Sequence, residues 1–208
     1  MSMKAKHIGT LLLGCVLTAL PAHGQEFHLS GGYNGSNVRE AGYERWVGRA
    51  GYQFGADLLL GGVWFVRAGA HLQVRNLNYT VAALDANGDP IGTDTEFRYT
   101  SRSLRVPLGL GRHLLDPAGD PPINVYVLAG PTALFNLTAE LENDQLDVRT
   151  NATQWYLGFA GGVELGFLFA EAGYDLAMTD VFSGQGFRTD PRVNQVYAVA
   201  GLRFQLAH

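Results

Sequence analysis

Asp85-Ala-Asn-Gly-Asp-Pro90 is the stretch whose side-chain types and spacing come nearest to a ligand site. Asp85, Asn87, Asp89, Ile91 and Glu96 stand at positions 1, 3, 5, 7 and 12 of a calcium-binding loop, in which carboxylate, amide and backbone oxygens hold a hard cation. Pro90 falls where that loop's sharp turn requires glycine, and no helical pattern flanks it. The same residues are those of a hairpin tip, which is the simpler reading. A second acidic cluster, Glu140, Glu142, Asp144 and Asp147, has the composition to attract divalent cations and equally that of a solvated loop. Nucleophilic hydrolysis would need a serine, a histidine and an acid brought together. His71 falls on a strand's polar parity and His28 and His113 toward one end of their strands, with no serine partner indicated. Neither catalysis nor a cofactor is expected.

The other ionisable groups recur with a period of two. Arg49, Asp57, Arg67, His71, Arg75, Arg105, Glu164, Glu171, Asp175 and Arg203 share the polar parity of their segments, and the apolar parity as assigned carries no ionisable group. This alternation is the signature of strands with one oily and one polar face.

The elements that must position these groups are organised around residues 46–75. Trp46, Gly48, Ala50, Tyr52, Phe54 and Ala56 alternate with Val47, Arg49, Gly51, Gln53, Gly55 and Asp57. After the Gly61-Gly62 turn signal, Trp64, Val66, Ala68, Ala70, Leu72 and Val74 alternate with Arg67, Gly69, His71, Gln73 and Arg75. Strands of ~12 residues exceed the ~5 to 6 usual in soluble sheets but suit a strand tilted across a bilayer. Further strands are predicted over 26–34, 97–113, 123–138, 154–165, 168–176 and 195–205. The connections then alternate long and short, with long loops at 35–45, 76–96, 139–152 and 179–192. An even strand count with long loops at one end and tight turns at the other predicts an all-β fold: an eight-stranded antiparallel up-and-down transmembrane β-barrel.

Cost decides the orientation. An arginine facing lipid at the midplane costs roughly 2 to 4 kcal/mol, so Arg49, Arg67, Arg75, Arg105 and Arg203 are expected to face inward with Glu164, Glu171 and Asp175. Eight strands enclose a space that side chains fill. A charge-compensated network is therefore expected rather than an open channel, with Glu171 beside Arg203 and with Arg67 and Arg105 completing the cluster. Trp46, Phe135 and Trp155 toward the loops, and Phe27, Phe54, Trp64 and Phe204 toward the turns, are the expected interfacial girdles. Two alternatives remain: a soluble lipocalin-like carrier with the apolar parity turned inward around a hydrophobic ligand, and a narrow passive channel.

Residues 1–24 read as a secretory signal, with Lys4, Lys6 and His7 before an apolar run from Ile8 to Leu20 and a small-residue cleavage site before Gln25. Residues 25–208 form one barrel domain. Leu12-Leu-Gly-Cys15 resembles a lipobox, but the apolar run continues past Cys15, the only cysteine. The signal carries both lysines, so the remaining basic residues are all arginine against 19 acids, and nucleic acid is not a partner.

The chain resembles the porin-family, PorT-like outer-membrane β-barrel proteins of Bacteroidota, related in architecture to small OmpA- and OmpX-like barrels. Gly31-Gly-Tyr-Asn-Gly-Ser-Asn-Val38, Ser103-Leu-Arg-Val-Pro-Leu-Gly-Leu110, Val127-Leu-Ala-Gly-Pro131 and the closing segment Val196 to Phe204 carry the resemblance. It implies a barrel in the bacterial outer membrane, inserted by the barrel assembly machinery, with periplasmic termini and extracellular loops. Outer-membrane lipid and lipopolysaccharide are the implied surroundings, and an extracellular or envelope protein partner is left unspecified. Such barrels often end on an aromatic residue, whereas here Phe204 precedes Gln-Leu-Ala-His, with Leu202, Phe204 and Leu206 in one apolar series.

Overall fold

The computed structural model describes residues 24–38, 44–84, 90–119, 121–141, 149–179, 182–183 and 192–207. Its strands are β1 (Gln25–Val38), β2 (Glu44–Gly61), β3 (Trp64–Leu84), β4 (Pro90–His113), β5 (Ile123–Leu141), β6 (Arg149–Thr150), β7 (Thr153–Leu165), β8 (Leu168–Ala177), β9 (Phe182–Ser183) and β10 (Val193–Ala207). Eight of these close a barrel in the order β1-β10-β8-β7-β5-β4-β3-β2, while β6 and β9 pair separately. Every barrel pairing is antiparallel. Closure comes from β1 against β10, with Phe27 opposite Phe204 and Tyr33 opposite Ala198. The turn between β2 and β3 uses Gly61 at φ 135, a value that excludes a side chain without strain.

The up-and-down barrel matches the expectation, but strands are longer than the hydrophobic alternation. β3 has 21 residues and β4 has 24, so most of the expected 76–96 loop is paired strand. A membrane crossing needs ~9 to 11 residues, and this hairpin therefore extends well beyond one. Polar residues pair there as readily as apolar ones, because the ladder of backbone hydrogen bonds does not depend on side-chain type. Asp85, Asn87 and Asp89 lie outside the described residues, as do the side chains of Ile91, Glu96, Glu140 and Trp46. The same holds for Glu142, Asp144, Asp147 and the expected signal up to residue 23.

Burial divides the wall by parity. Tyr52, Phe54, Leu72, Leu108, Leu110, Val127, Phe159 and Val163 are exposed on the outer surface, and Gln53, Asp57, Arg67, His71, Gln73 and Arg105 are buried inside. That distribution is the reverse of what a carrier with an oily cavity requires, and the lipocalin-like alternative is set aside. The outer face is not free of charge, however. Arg98, Arg102 and Arg112 share the outward parity of Leu104 to Leu110 and are exposed at its two ends. Arg112 lies over the exposed Trp64 ring at 5.4 Å.

Arg49 corrects a second expectation, because it is exposed rather than inside. Arg49 pairs with Asn76 and Tyr52 with Val74, so a bulge inserts one extra residue in β2. One inserted residue exchanges the two faces beyond it.

Inside, large rings are opposed by glycines on the neighbouring strand. Tyr126 faces Gly162, Tyr197 faces Gly173 and Phe65 faces Gly111. A Cβ on Gly162 would lie 2.3 Å from the Tyr126 ring. Gly162→Val is therefore expected to displace that ring and cost about 1 to 3 kcal/mol of unfolding stability, measured by urea titration in detergent.

Candidate functional site

The site is the barrel interior, where three layers of polar side chains stack along the axis. In the central layer, Arg67 of β3 donates from Nη1 to Glu171 Oε2 of β8 at 2.5 Å. Glu171 also accepts the Tyr126 hydroxyl at 2.7 Å and the Tyr197 hydroxyl at 3.0 Å. Arg67 Nε stands 3.7 Å from Asp57 Oδ1, which lies 3.0 Å from His71 Nε2. Arg105 of β4 holds Asp175 of β8 through two bonds, Nε to Oδ2 at 2.9 Å and Nη2 to Oδ1 at 3.1 Å. The Arg105 guanidinium also lies 4.6 Å from the Tyr197 ring centroid. Tyr197 thus links the two ion pairs, one through its hydroxyl and one through its face. Neither β3 nor β4 neighbours β8 in the sheet, so these bonds run across the interior from wall to wall.

Toward the turns, Arg203 bonds Glu26 through both Nε and Nη2 and stands 3.7 Å from Glu164 Oε2. His28 Nε2 lies 3.4 Å from Glu26, and His113 Nε2 lies 3.5 Å from Glu164. Ligand atoms of Glu26, His28 and Glu164 come within 4.8 Å of one another, the spacing a divalent metal would use. The Arg203 guanidinium already supplies a cation to this cluster. Toward the loops the interior is built of amides and a tyrosine around the buried Arg75. Gln73 Nε2 donates to Gln195 Oε1 at 2.7 Å, Gln195 Nε2 to Tyr156 Oη at 3.2 Å, and the Tyr156 hydroxyl to Gln154 Oε1 at 2.7 Å.

Of the side chains expected in a lumen network, Arg67, Arg75, Arg105, Glu164, Glu171 and Asp175 are all buried inside. Arg203 is inside but does not sit beside Glu171, as the alternation alone suggested. Across from Glu171 in β10 is Val199, four residues earlier. At ~3.3 Å per residue this separates Arg203 from Glu171 by about 13 Å along the strand, and its partners become Glu26 and Glu164. Arg75, 1% exposed, also departs from expectation. Its Nη1 donates to Tyr156 Oη at 3.3 Å, and it makes no ion pair with a described carboxylate. Glu26 was missed because it opens its strand, although it shares the parity of His28. Tyr126, Tyr156 and Tyr197 lay on the polar parity in plain view, and only the hydroxyl marked them as members of the network.

A closed antiparallel barrel with an oily outer wall and an ionic interior defines a transmembrane β-barrel protein. A model of the outer membrane protein beta-barrel domain matches residues 8–204, and the chain belongs to that family. Its fold is similar to that of OprG from Pseudomonas aeruginosa, at a TM-score of 0.57 and 12% identity over 86% of this chain and 95% of that one. It is also similar to Ail, the attachment invasion locus protein of Yersinia pestis, solved in complex with the heparin analogue sucrose octasulfate. That match has a TM-score of 0.50 and 17% identity over 86% of this chain and 99% of that one. No functionally curated protein matches the sequence.

Proposed function

We propose that this outer-membrane barrel is a non-conducting structural or interaction protein, with its lumen plugged by its own side chains. The termini lie in the periplasm and the long acidic loops face the exterior, where they are available to an extracellular or envelope partner. The observation that carries this reading is the set of cross-barrel bonds Arg67–Glu171 and Arg105–Asp175, each joining walls that are not neighbours. Side chains paired in this way neutralise each other and bridge the interior where they meet. No Ser-His-acid constellation is found among the described residues, and the reading includes no catalysis. The cation idea for Asp85, Asn87, Asp89 and Glu96 is not needed by it.

The refolded protein in a planar bilayer is expected to give no unitary conductance, while its unboiled gel mobility differs from that of the boiled form. Regular ion-conducting steps from the wild-type protein would favour the narrow channel instead.

A further inference from the structure

The bulge that turns Arg49 out of the lumen gives the outer wall a cluster of cations. Arg49 of β2 lies in one row with Asn76 of β3 and Thr100 of β4. Arg98 and Arg102 flank Thr100 on the same outward parity of β4. Strands ~4.8 Å apart that rise ~3.3 Å per residue place the Arg49 and Arg98 backbones about 12 Å from each other, well within the combined reach of two arginine side chains. All three arginines are exposed, and the register sets Glu140 of β5 opposite Thr100 in the same row. Between them the floor is polar and fixed: Asn76 Nδ2 donates to Ala50 O at 2.8 Å, and Thr100 Oγ1 donates to Asn76 Oδ1 at 3.1 Å. Arg49 and Arg98 line a groove of about 440 Å³ with Asn76, Asn78 and Thr100, and Arg102 stands outside it, two residues along β4 from Thr100.

Position along the wall makes this cluster unusual. Tyr52 and Val74 lie in the row of Arg102, and Leu72 and Leu104 in the next row begin the oily belt. The arginines therefore stand on the lipid-facing surface at the loop-side edge of the hydrocarbon, where a guanidinium costs ~0 to 1 kcal/mol rather than the midplane penalty. The bulge thus keeps a second cation away from the loop-side interior, where Arg75 is already buried with only a tyrosine hydroxyl as its hydrogen-bond partner among the described residues.

We propose that Arg49, Arg98 and Arg102 form a binding site for the phosphate groups of a phosphorylated glycolipid headgroup in the outer leaflet. Guanidinium is suited to this ligand because its planar fork bonds two phosphate oxygens at once, and the Asn76–Thr100 floor offers neutral polar contact to the sugar. The inference rests on the loops facing outward. It adds a specific lipid contact that the plugged-barrel reading does not require.

The test titrates the detergent-solubilised full barrel with bisphosphorylated lipid A and counts bound lipid by native mass spectrometry. The wild type is expected to bind, and R49A/R98A to lose about tenfold in affinity, the loss of one to two charge-assisted contacts. Arg112→Ala, at the opposite end of the wall, is expected to bind as the wild type does. Both variants change exposed side chains, and an unchanged heat-dependent gel shift verifies their folding. Equal binding by R49A/R98A and the wild type would overturn the site. So would equal binding of lipid A stripped of its phosphates, or full competition by inorganic phosphate at matched concentration. A wild-type protein that stays monomeric without detergent would instead overturn the membrane reading itself, so the two failures are distinct.

Discussion

Arg67→Ala is expected to lower the unfolding free energy of the barrel by about 3 to 5 kcal/mol. Glu171 would keep the Tyr126 and Tyr197 hydroxyls but lose the Arg67 guanidinium, its one ion-pair partner among the described residues, and Asp57 would lose the guanidinium 3.7 Å away. Two carboxylates, both buried, would then be left short of compensation. Urea unfolding in detergent micelles, followed by tryptophan fluorescence, measures the loss. Arg67→Met combined with Glu171→Gln removes both members of the pair and should recover a large part of it, since breaking a buried pair costs more than replacing it. If Arg67→Ala and the double variant are equally destabilised, the pair contributes packing rather than charge compensation.

The second large effect separates stability from closure. Asp175→Ala leaves the Arg105 guanidinium buried without its two-bond partner, and about 3 to 5 kcal/mol is expected to be lost by the same physics. Removing both, as R105A/D175A, leaves no uncompensated charge and should be the milder change in stability. It deletes two side chains that meet across the interior, however, and on the plugged-lumen proposal a connected water path is expected to open. Planar-bilayer recording is therefore predicted to show unitary steps for R105A/D175A and none for Asp175→Ala or the wild type. Steps of equal size from all three proteins would mean that the ion pair does not obstruct the lumen.

Much of the barrel was legible from residue types. Each strand's period of two is set by the pleat and read directly, and the turn residues around Gly61-Gly62 and Gly166-Phe167 separate neighbouring strands without ambiguity. The cost of charge in hydrocarbon then fixes which parity faces out over the centre of the wall, as Arg67, Arg75, Arg105, Glu171 and Asp175 illustrate. Strand ends were less legible. Over residues 76–84 of β3 polar and apolar residues no longer hold the parity of residues 64–74, so the pattern that marks a strand is interrupted while its pairing with β4 continues.

Alternation alone determined that these side chains belong to a polar interior and that the hydrophobic ones belong outside. Which acid meets which base was decided only by the closed barrel, because the register between strands sets height along the axis and the sequence carries no mark of it. Register puts Val199 rather than Arg203 beside Glu171, and curvature brings Arg67 of β3 to Glu171 of β8 across the interior. The bulge before Tyr52 is of the same kind. One unpaired residue leaves the composition of β2 unaltered yet reverses its faces, and so moves Arg49 from the lumen to the outer wall.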